Sequence, residues 1–147
     1  RIADRAESIV DREARMELED KHLTGSDLVT EAVANAAVKL AHTVKAKAII
    51  TTSTSGLTPR MVSKFRPKCP ILCATWESRT KAYLSLMSGV TGISISLPPT
   101  TDEVMHAAVN EFLRHKMLKL GDTIVITAGV PAGKVGNTNL IYVETVK

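Results

Sequence analysis

Residues 51–58, TTSTSGLT, place six hydroxyl side chains within a stretch of eight residues. The stretch follows the apolar residues 46–50 and precedes Pro59, and proline is preferred at the first position of a helix. Where a turn leads into a helix, successive backbone N–H groups point outward and the helix dipole adds positive potential, so anions bind there. We predict a tight turn at Gly56, with Thr58 as the helix N-cap. The hydroxyl groups placed to donate to an anion belong to Ser53, Thr54, Ser55 and Thr58. Two interpretations stay open here: a phosphate site, or a loop whose hydroxyl groups only cap a helix.

A second loop, residues 129–137 (GVPAGKVGN), is rich in glycine and follows another apolar run. Its glycines are Gly129, Gly133 and Gly136, and Lys134 directly follows the second of them. It is not a Walker A motif, because three residues rather than four separate its first two glycines and Val135 follows Lys134. No G-x-G-x-x-G follows any predicted strand either, so hydrolysis of nucleoside triphosphates and binding of dinucleotides lose their support. Lys134 either supplies a charge to an anionic ligand or is a solvated lysine of the loop.

The remaining reactive side chains show no motif spacing. The histidines lie on separate segments and match neither a metal site nor a catalytic triad; they are His22, His42, His106 and His115. Cys69 and Cys73 form an isolated C-x3-C pair, which we interpret as partly buried thiols. Trp76 directly follows the second predicted strand, where it either stacks on a ligand or packs half-buried against the protein.

Composition narrows the class of protein. The 147 residues are 44% hydrophobic and 23% charged, which is typical of one globular domain, and only 3% are aromatic, which argues against stacking of nucleobases. Residues 1–21 carry a net charge of −2 and the remainder a net charge of +6, a mildly basic body that suits a phosphorylated small ligand. Because no long basic run, signal peptide or membrane span is present, we expect no nucleic-acid or membrane partner and a cytoplasmic location. The chain begins with Arg1 rather than Met, so we expect it to be a piece of something longer.

Hydrophobic periodicity divides residues 27–147 into helices and strands. A helix over 27–44 is predicted, with Ser26 as its N-cap. Short apolar strands are predicted at 46–50, 69–75, 92–96, 122–129 and 138–146. The helix after the first strand carries Met61, Val62 and Phe65; the next carries Ala82, Tyr83, Leu86 and Met87; the third carries Met105, Ala108, Phe112 and Leu113. Thr100 and Glu103 form a T-x-x-E capping box that starts the third of these helices.

The alternation of strands and helices predicts an α/β fold, with a three-layer α/β/α architecture around a five-stranded mixed sheet. Four strands are expected to be parallel, and the last is antiparallel at an edge because its connection is too short for a parallel crossover. A doubly wound sheet then has the strand order 3-2-1-4-5, and ligands bind beyond the carboxyl ends of strands 1 and 4, where the winding reverses. Those two ends carry the hydroxyl-rich loop and the glycine-rich loop.

Two stretches of the sequence, SGLTPRMVSKFRPKCPI and LGDTIVITAGVPAGKVGNTNLIYV, resemble the C-terminal domain of pyruvate kinases, particularly bacterial ones. The shared motifs are a T-x-S-G-x-T loop, a K/R-x-R-P stretch, G-D-x-x-x-I-T-A-G-x-P and T-N-L, and the resemblance covers essentially the whole chain. It implies that residues 1–21 are a connector helix from a catalytic barrel that this chain lacks, and that 22–147 are the C-terminal domain.

The resemblance implies a regulatory function rather than a catalytic one. In this family the domain holds an allosteric pocket for sugar phosphates or nucleotide monophosphates and forms part of the tetramer interface. The phosphate-cradling loop of the family falls on Ser53, Thr54, Ser55, Gly56 and Thr58, and its second effector loop on 129–136, including Lys134. Some members bind a bisphosphorylated sugar with a Trp and an Arg near this region. GVPAGKVG has neither, so a monophosphate such as ribose 5-phosphate, glucose 6-phosphate or AMP is favoured over fructose 1,6-bisphosphate.

The resemblance also implies what the parent enzyme does. It transfers a phosphoryl group from phosphoenolpyruvate to ADP in the barrel, with Mg²⁺ and K⁺. For this chain we therefore expect no catalytic residue, metal ligand or cofactor, and as partners an effector, the rest of a pyruvate kinase chain and the other subunits of a homo-oligomer. A purely structural oligomerisation domain is the first alternative. An independent small phosphotransferase is the second, and the missing Walker A and carboxylate or histidine chemistry argue against it.

Overall fold

The computed structural model describes residues 25–147. The predicted connector helix at 1–21 lies outside the described residues, as does His22. Within the described residues, no helix combines the length and the apolar character that crossing a membrane requires.

Four helices and five strands alternate along the described chain. The helices are α1 (Ser26–Thr43), α2 (Leu57–Lys64), α3 (Ser78–Leu84) and α4 (Thr101–Arg114). The strands are β1 (Ala48–Thr52), β2 (Ile71–Thr75), β3 (Val90–Ser94), β4 (Thr123–Gly129) and β5 (Thr138–Thr145). All the predicted elements in this range are present; the strand ends are displaced by up to two residues, and α3 ends three residues before Met87, the last residue assigned to it.

The five strands form one sheet in the order β3-β2-β1-β4-β5, as predicted. β1 pairs in parallel with both β2 and β4, β2 pairs in parallel with β3, and β5 runs antiparallel to β4. Every residue of β1 and of β2 is buried, because both faces of these strands are covered. The predicted fold class, a mixed sheet between helical layers, is confirmed.

Two hydrophobic clusters fill the space on either side of the sheet. On one face, α1 and α2 pack against the odd-numbered residues of the central strands, such as Ile49 and Val125. The small side chains that α1 presents there bring the helix close to the sheet; they are Ala34, Ala37 and Ala41. On the other face, α4 packs Phe112 against the even-numbered residues, such as Ile50. This division places α1 and α2 on one side of the sheet and α4, which connects β3 to β4, on the other.

The start of α1 and the buried face of α3 differ from the prediction. The N-cap of α1 is Gly25 rather than Ser26, a displacement of one residue. In α3 the buried residues are Thr80 and Leu84. The residues predicted to form its apolar face are not buried: Ala82 and Tyr83 are exposed, Leu86 is 80% exposed, and Met87 lies beyond the end of the helix. The physical reason is that α3 is short. It ends at Leu84 because β3 begins only six residues later, at Val90, and Leu84 packs directly over Gly92 of that strand. By contrast, the N-cap of α4 is Thr100, which accepts a hydrogen bond from the Glu103 N–H as predicted.

An ion pair joins the two helices on the α1 side of the sheet. Lys64 Nζ of α2 lies 2.7 Å from Glu31 Oε1 of α1, and the Glu31 side chain is only 9% exposed. A carboxylate this deeply buried depends on its hydrogen-bonded cation, because few water molecules reach it.

Replacing Lys64 should therefore cost more than replacing an ordinary surface lysine. We expect Lys64→Met to lower the free energy of unfolding by about 1–2 kcal/mol, measured by urea denaturation, because it leaves the buried carboxylate without its charge-assisted hydrogen bond. The double variant Glu31→Gln/Lys64→Met should lose less, and the exposed Lys68→Met is the matched control. Equal losses in Lys64→Met and Lys68→Met would contradict the assigned role of the ion pair.

A hydroxyl group is buried without a partner in the middle of the sheet. Thr127 of β4 lies beside Thr51 of β1 in the ladder and is fully buried. Its Oγ1 makes no hydrogen bond to any residue between 25 and 147. Burying a hydroxyl group in this way costs about 1–3 kcal/mol.

Thr127→Val removes the hydroxyl group and keeps the branched shape. We expect the free energy of unfolding to rise by about 1 kcal/mol, because the desolvation cost disappears while packing is retained. Urea denaturation measures the change, and Thr123→Val at the half-buried start of the same strand serves as the control. A loss of stability in Thr127→Val would show instead that the hydroxyl group has a partner, such as a buried water molecule.

Candidate functional site

The two predicted loops meet at the carboxyl edge of the sheet. β1 and β4 are neighbours in the ladder, and the loops that follow them, residues 53–56 and 130–137, lie on opposite sides of one cleft. The cleft encloses about 420 Å³ of space, including its opening to solvent. The doubly wound topology positions it, because the helices after β1 and before β4 leave the sheet on opposite faces.

Most of the predicted site residues line this cleft. From the first loop and α2 these are Ser53, Thr54, Ser55 and Thr58, and from the second loop Gly129, Gly133, Lys134 and Gly136. Trp76 also lines the cleft and is half-buried, so it both packs against the protein and faces the space. Gly56 is buried behind the loop instead, where it forms the turn. The structure thus brings the predicted residues together, while phosphate binding itself stays a prediction.

The turn before α2 is organised by Gly56 and two serines. Gly56 has φ 84° and ψ 5°, a left-handed conformation that glycine adopts at little cost. Ser53 Oγ accepts a hydrogen bond from the Gly56 N–H at 2.8 Å, and Ser55 Oγ accepts one from the Leu57 N–H at 3.4 Å. Both serines therefore use lone pairs for the turn, and each keeps its O–H proton for another acceptor.

Several backbone N–H groups of this loop have no acceptor. Within the described part of the chain, the N–H groups of Thr54, Ser55 and Thr58 make no hydrogen bond, whereas Ser53 N–H donates to Ala74 and Arg60 N–H to Gly56. Unpaired N–H groups at a helix N-terminus carry partial positive charge, and the α2 dipole adds to it. The loop has the chemistry of a site for an acceptor-rich anion.

The predicted role of Thr58 as the N-cap is wrong. The N-cap of α2 is Gly56, the helix begins at Leu57, and Pro59 occupies its third position rather than its first. The left-handed Gly56 together with the two serine hydroxyl groups starts the helix earlier than the position of the proline suggests. The Thr58 hydroxyl group instead hydrogen-bonds the Thr138 hydroxyl group, at the start of β5.

The second loop has a side-chain frame of its own. Val130 N–H donates to Asn139 Oδ1 at 2.9 Å, and Asn139 Nδ2 donates back to the Val130 carbonyl oxygen at 3.0 Å. Gly129 lies so close to the chain on the other side of the loop that a Cβ there would be 2.4 Å from the Asn137 carbonyl oxygen. Lys134, at the exposed tip, is the cationic side chain of the cleft, and no Asp or Glu among residues 25–147 lines it. The cleft is therefore positive overall.

Sequence reasoning missed several residues of the cleft. Thr101, at the start of α4, lines it and donates its hydroxyl proton to the Gly129 carbonyl oxygen at 3.4 Å. Thr138 and Asn137 line it from the end of the second loop. A signal for Thr101 was available, since the helix after β3 must begin at the same edge of the sheet as the loops after β1 and β4.

The described residues hold little else that is reactive. Burial raises the pKa of the Cys73 thiol to about 12, and burial also raises the pKa of Cys69, so neither is a thiolate near neutral pH. His42, His106 and His115 are exposed. Between residues 25 and 147 no three His, Cys, Asp or Glu side chains come together as a metal site, and the Mg²⁺ and K⁺ assigned to the barrel remain a prediction.

Comparison with known proteins places this fold and this pair of loops in one family. Residues 31–144 match the family model described as pyruvate kinase, alpha/beta domain. The chain belongs to that family. Over 146 residues, which are 99% of this chain and 25% of the relative, it is 34% identical to the pyruvate kinase of Sporosarcina psychrophila. It is 39% identical over 118 residues to that of Geobacillus stearothermophilus, and 40% identical over 122 residues to pyruvate kinase 1 of Candida glabrata.

The matches with the Geobacillus and Candida enzymes cover 80% and 79% of this chain, and 20% and 24% of those relatives. The chain thus spans about a quarter of the length of the pyruvate kinases it matches, or less. It is the pyruvate kinase C-terminal α/β domain, as the resemblance predicted.

The turn that forms the site should be sensitive to a side chain at Gly56. An added Cβ would lie 3.2 Å from Tyr83 Cδ1 of α3, in a backbone conformation that L-residues rarely adopt. We expect Gly56→Ala to lower the free energy of unfolding by about 1–2 kcal/mol in urea denaturation. Gly121→Ala is a matched control, because Gly121 has φ 89° with no neighbour within 4 Å. If the two variants lose the same stability, contact with α3 plays no part.

Proposed function

We propose that this chain is the regulatory and assembly domain of a pyruvate kinase, and that its cleft binds a phosphorylated small-molecule effector. The parent enzyme would transfer a phosphoryl group from phosphoenolpyruvate to ADP in its barrel. One observation carries the proposal: the N-terminus of α2 and the loop before it, with unpaired N–H groups, lie across the cleft from a glycine-rich loop with a lysine, and no carboxylate among residues 25–147 lines that cleft.

The donors of the first loop suit the oxygens of a phosphate group. A phosphate group carries three acceptor oxygens and no donor at its dianionic stage, so it needs several converging N–H or O–H groups. Ser53 and Ser55 each have a hydroxyl proton left after capping the turn, and the N–H groups of Thr54 and Ser55 make no hydrogen bond within the described residues. This is a backbone cradle of the kind that binds phosphate without a dedicated arginine.

The charge of the cleft favours one phosphate group over two. Among residues 25–147, Lys134 is the cationic side chain that lines it, and the other lining side chains are hydroxyl-bearing, amide or apolar. A bisphosphate would need a second cationic subsite, since a phosphate group away from the α2 N-terminus would meet only apolar and neutral groups. We therefore assign the effector to the monophosphates of sugars or nucleosides, with Trp76 and Leu57 beside the unphosphorylated part.

A purely structural role is the second candidate, and it also has an observation in its favour. Each of the hydroxyl groups of Ser53, Ser55 and Thr58 already makes a hydrogen bond within the protein, as in a loop that only starts a helix. β5 lies at the edge of the sheet with Tyr142 and Val143 exposed, so it offers a surface for assembly.

A titration of the 147-residue chain separates the two candidates. Amide chemical shifts would be followed by NMR while inorganic phosphate, glucose 6-phosphate or AMP is added up to millimolar concentration. We expect shifts at the N–H groups of 54–58 and in 129–137, weakened by Ser55→Ala and by Lys134→Met. The effect of Lys134→Met should shrink as salt is added, because the lysine is exposed.

The control is Thr43→Ala, at the exposed end of α1 on the opposite edge of the sheet. It should bind phosphate like the unmodified chain. If no ligand shifts any amide of the two loops at millimolar concentration, the effector proposal fails and the structural role is left.

A further inference from the structure

Two buried threonines connect the two loops of the cleft directly. Thr58, in the first turn of α2, and Thr138, the first residue of β5, are 4% and 5% exposed. Their hydroxyl oxygens are in hydrogen-bond contact, although the residues are 80 positions apart in sequence, and either can be the donor. Both residues also line the cleft.

Neither hydroxyl group is needed for local backbone structure. The start of α2 is satisfied by Ser53, Ser55 and the left-handed Gly56, which leaves Thr58 without a capping role. Thr138 pairs with Gly129 next to an irregularity in the β4–β5 ladder, where the second loop returns to the sheet. The hydrogen bond between the threonines therefore joins the fixed α2 N-terminus to the base of the glycine-rich loop.

Anion binding fixes which of the two threonines is the donor in this pair. A hydroxyl group has one proton and two lone pairs, so it donates once and accepts up to twice. A phosphate dianion only accepts. If Thr58 donates its proton to the anion, it can stay bonded to Thr138 only as an acceptor, and Thr138 must then be the donor. The result is a chain of two hydrogen bonds from Thr138 through Thr58 to the anion, in which each bond polarises the next.

We propose that Thr138 is a positioning residue for the phosphate site, acting through Thr58: it fixes the base of the glycine-rich loop and orients the Thr58 hydroxyl proton toward the anion. The role of Thr138 in orienting the Thr58 proton toward the anion rests on the proposed function. Its role in fixing the base of the glycine-rich loop rests on the loop geometry alone. Thr138 also extends the hydrogen-bond chain of the anion to the start of the edge strand β5, because it is the first residue of that strand.

The test compares Thr138→Val, which removes the hydroxyl group and keeps the branched shape, with Thr138→Ser, which keeps the hydroxyl group. Thr145→Val, at the exposed far end of β5, is the matched control. The probe is inorganic phosphate, titrated into the 147-residue chain while amide shifts are recorded. Hydrogen exchange at 130–136 is measured without phosphate. We expect Thr138→Val to bind phosphate about three- to tenfold more weakly, with faster exchange in the loop, while Thr138→Ser and Thr145→Val stay close to the unmodified chain.

The outcomes separate this inference from the proposed function. If the unmodified chain binds phosphate and Thr138→Val binds it equally well, or if Thr138→Ser loses as much affinity as Thr138→Val, the inference is overturned and the proposed function stands. If the unmodified chain does not respond to phosphate, the proposed function fails, and with it the role of Thr138 in orienting the Thr58 proton toward the anion. In that case, faster hydrogen exchange at 130–136 in Thr138→Val would still support the role of Thr138 in fixing the base of the glycine-rich loop. Unchanged exchange would overturn that role as well.

Discussion

The burial of β1 on both faces, between two parallel neighbours, is the constraint on which the rest of the structure depends. Its five residues have no exposed side, so α1 and α2 must cover one face and α4 the other. The helices that follow β1 and precede β4 then leave the sheet in opposite directions. The gap between them at the carboxyl edge is the cleft, and its position follows from how the strands are wound, whatever residues line it.

The hydrogen bonds within the first loop explain why this cleft suits an anion. The first loop satisfies its own turn with serine lone pairs and with one glycine in a left-handed conformation. That arrangement leaves N–H and O–H protons without an acceptor on residues that line the cleft, while no carboxylate of the described residues competes for them. A loop that capped its helix with acidic side chains would have had the opposite electrostatic character. The same hydroxyl groups can therefore be structural and ligand-binding at once, and titration rather than geometry must decide between the two.

Much of the fold could be predicted from local patterns, because the burial of a strand and the length of a connection can both be seen within a short stretch of sequence. Strands buried on both faces read as continuous apolar runs, and the short β4–β5 connection excludes a parallel crossover. The failures occur where tertiary contacts outweigh local preference. Pro59 suggested a helix start that Gly56 and the serines place earlier, and α3 presents Leu84 rather than Leu86 to the sheet because β3 begins so soon after it.

The sequence by itself determined the order of the elements, the doubly wound sheet, the two loops and the family, because these follow from periodicity, connection length and residue types along the chain. Only the tertiary structure decided which residues share the cleft. Thr101 and Thr138 belong to segments far from residues 51–58, and no local pattern marks a hydroxyl group whose partner is 80 residues away. The Thr58 hydroxyl group could cap its own helix or bond across the cleft, and the pairing of β5 with β4, which brings Thr138 to the cleft, determined which of the two it does.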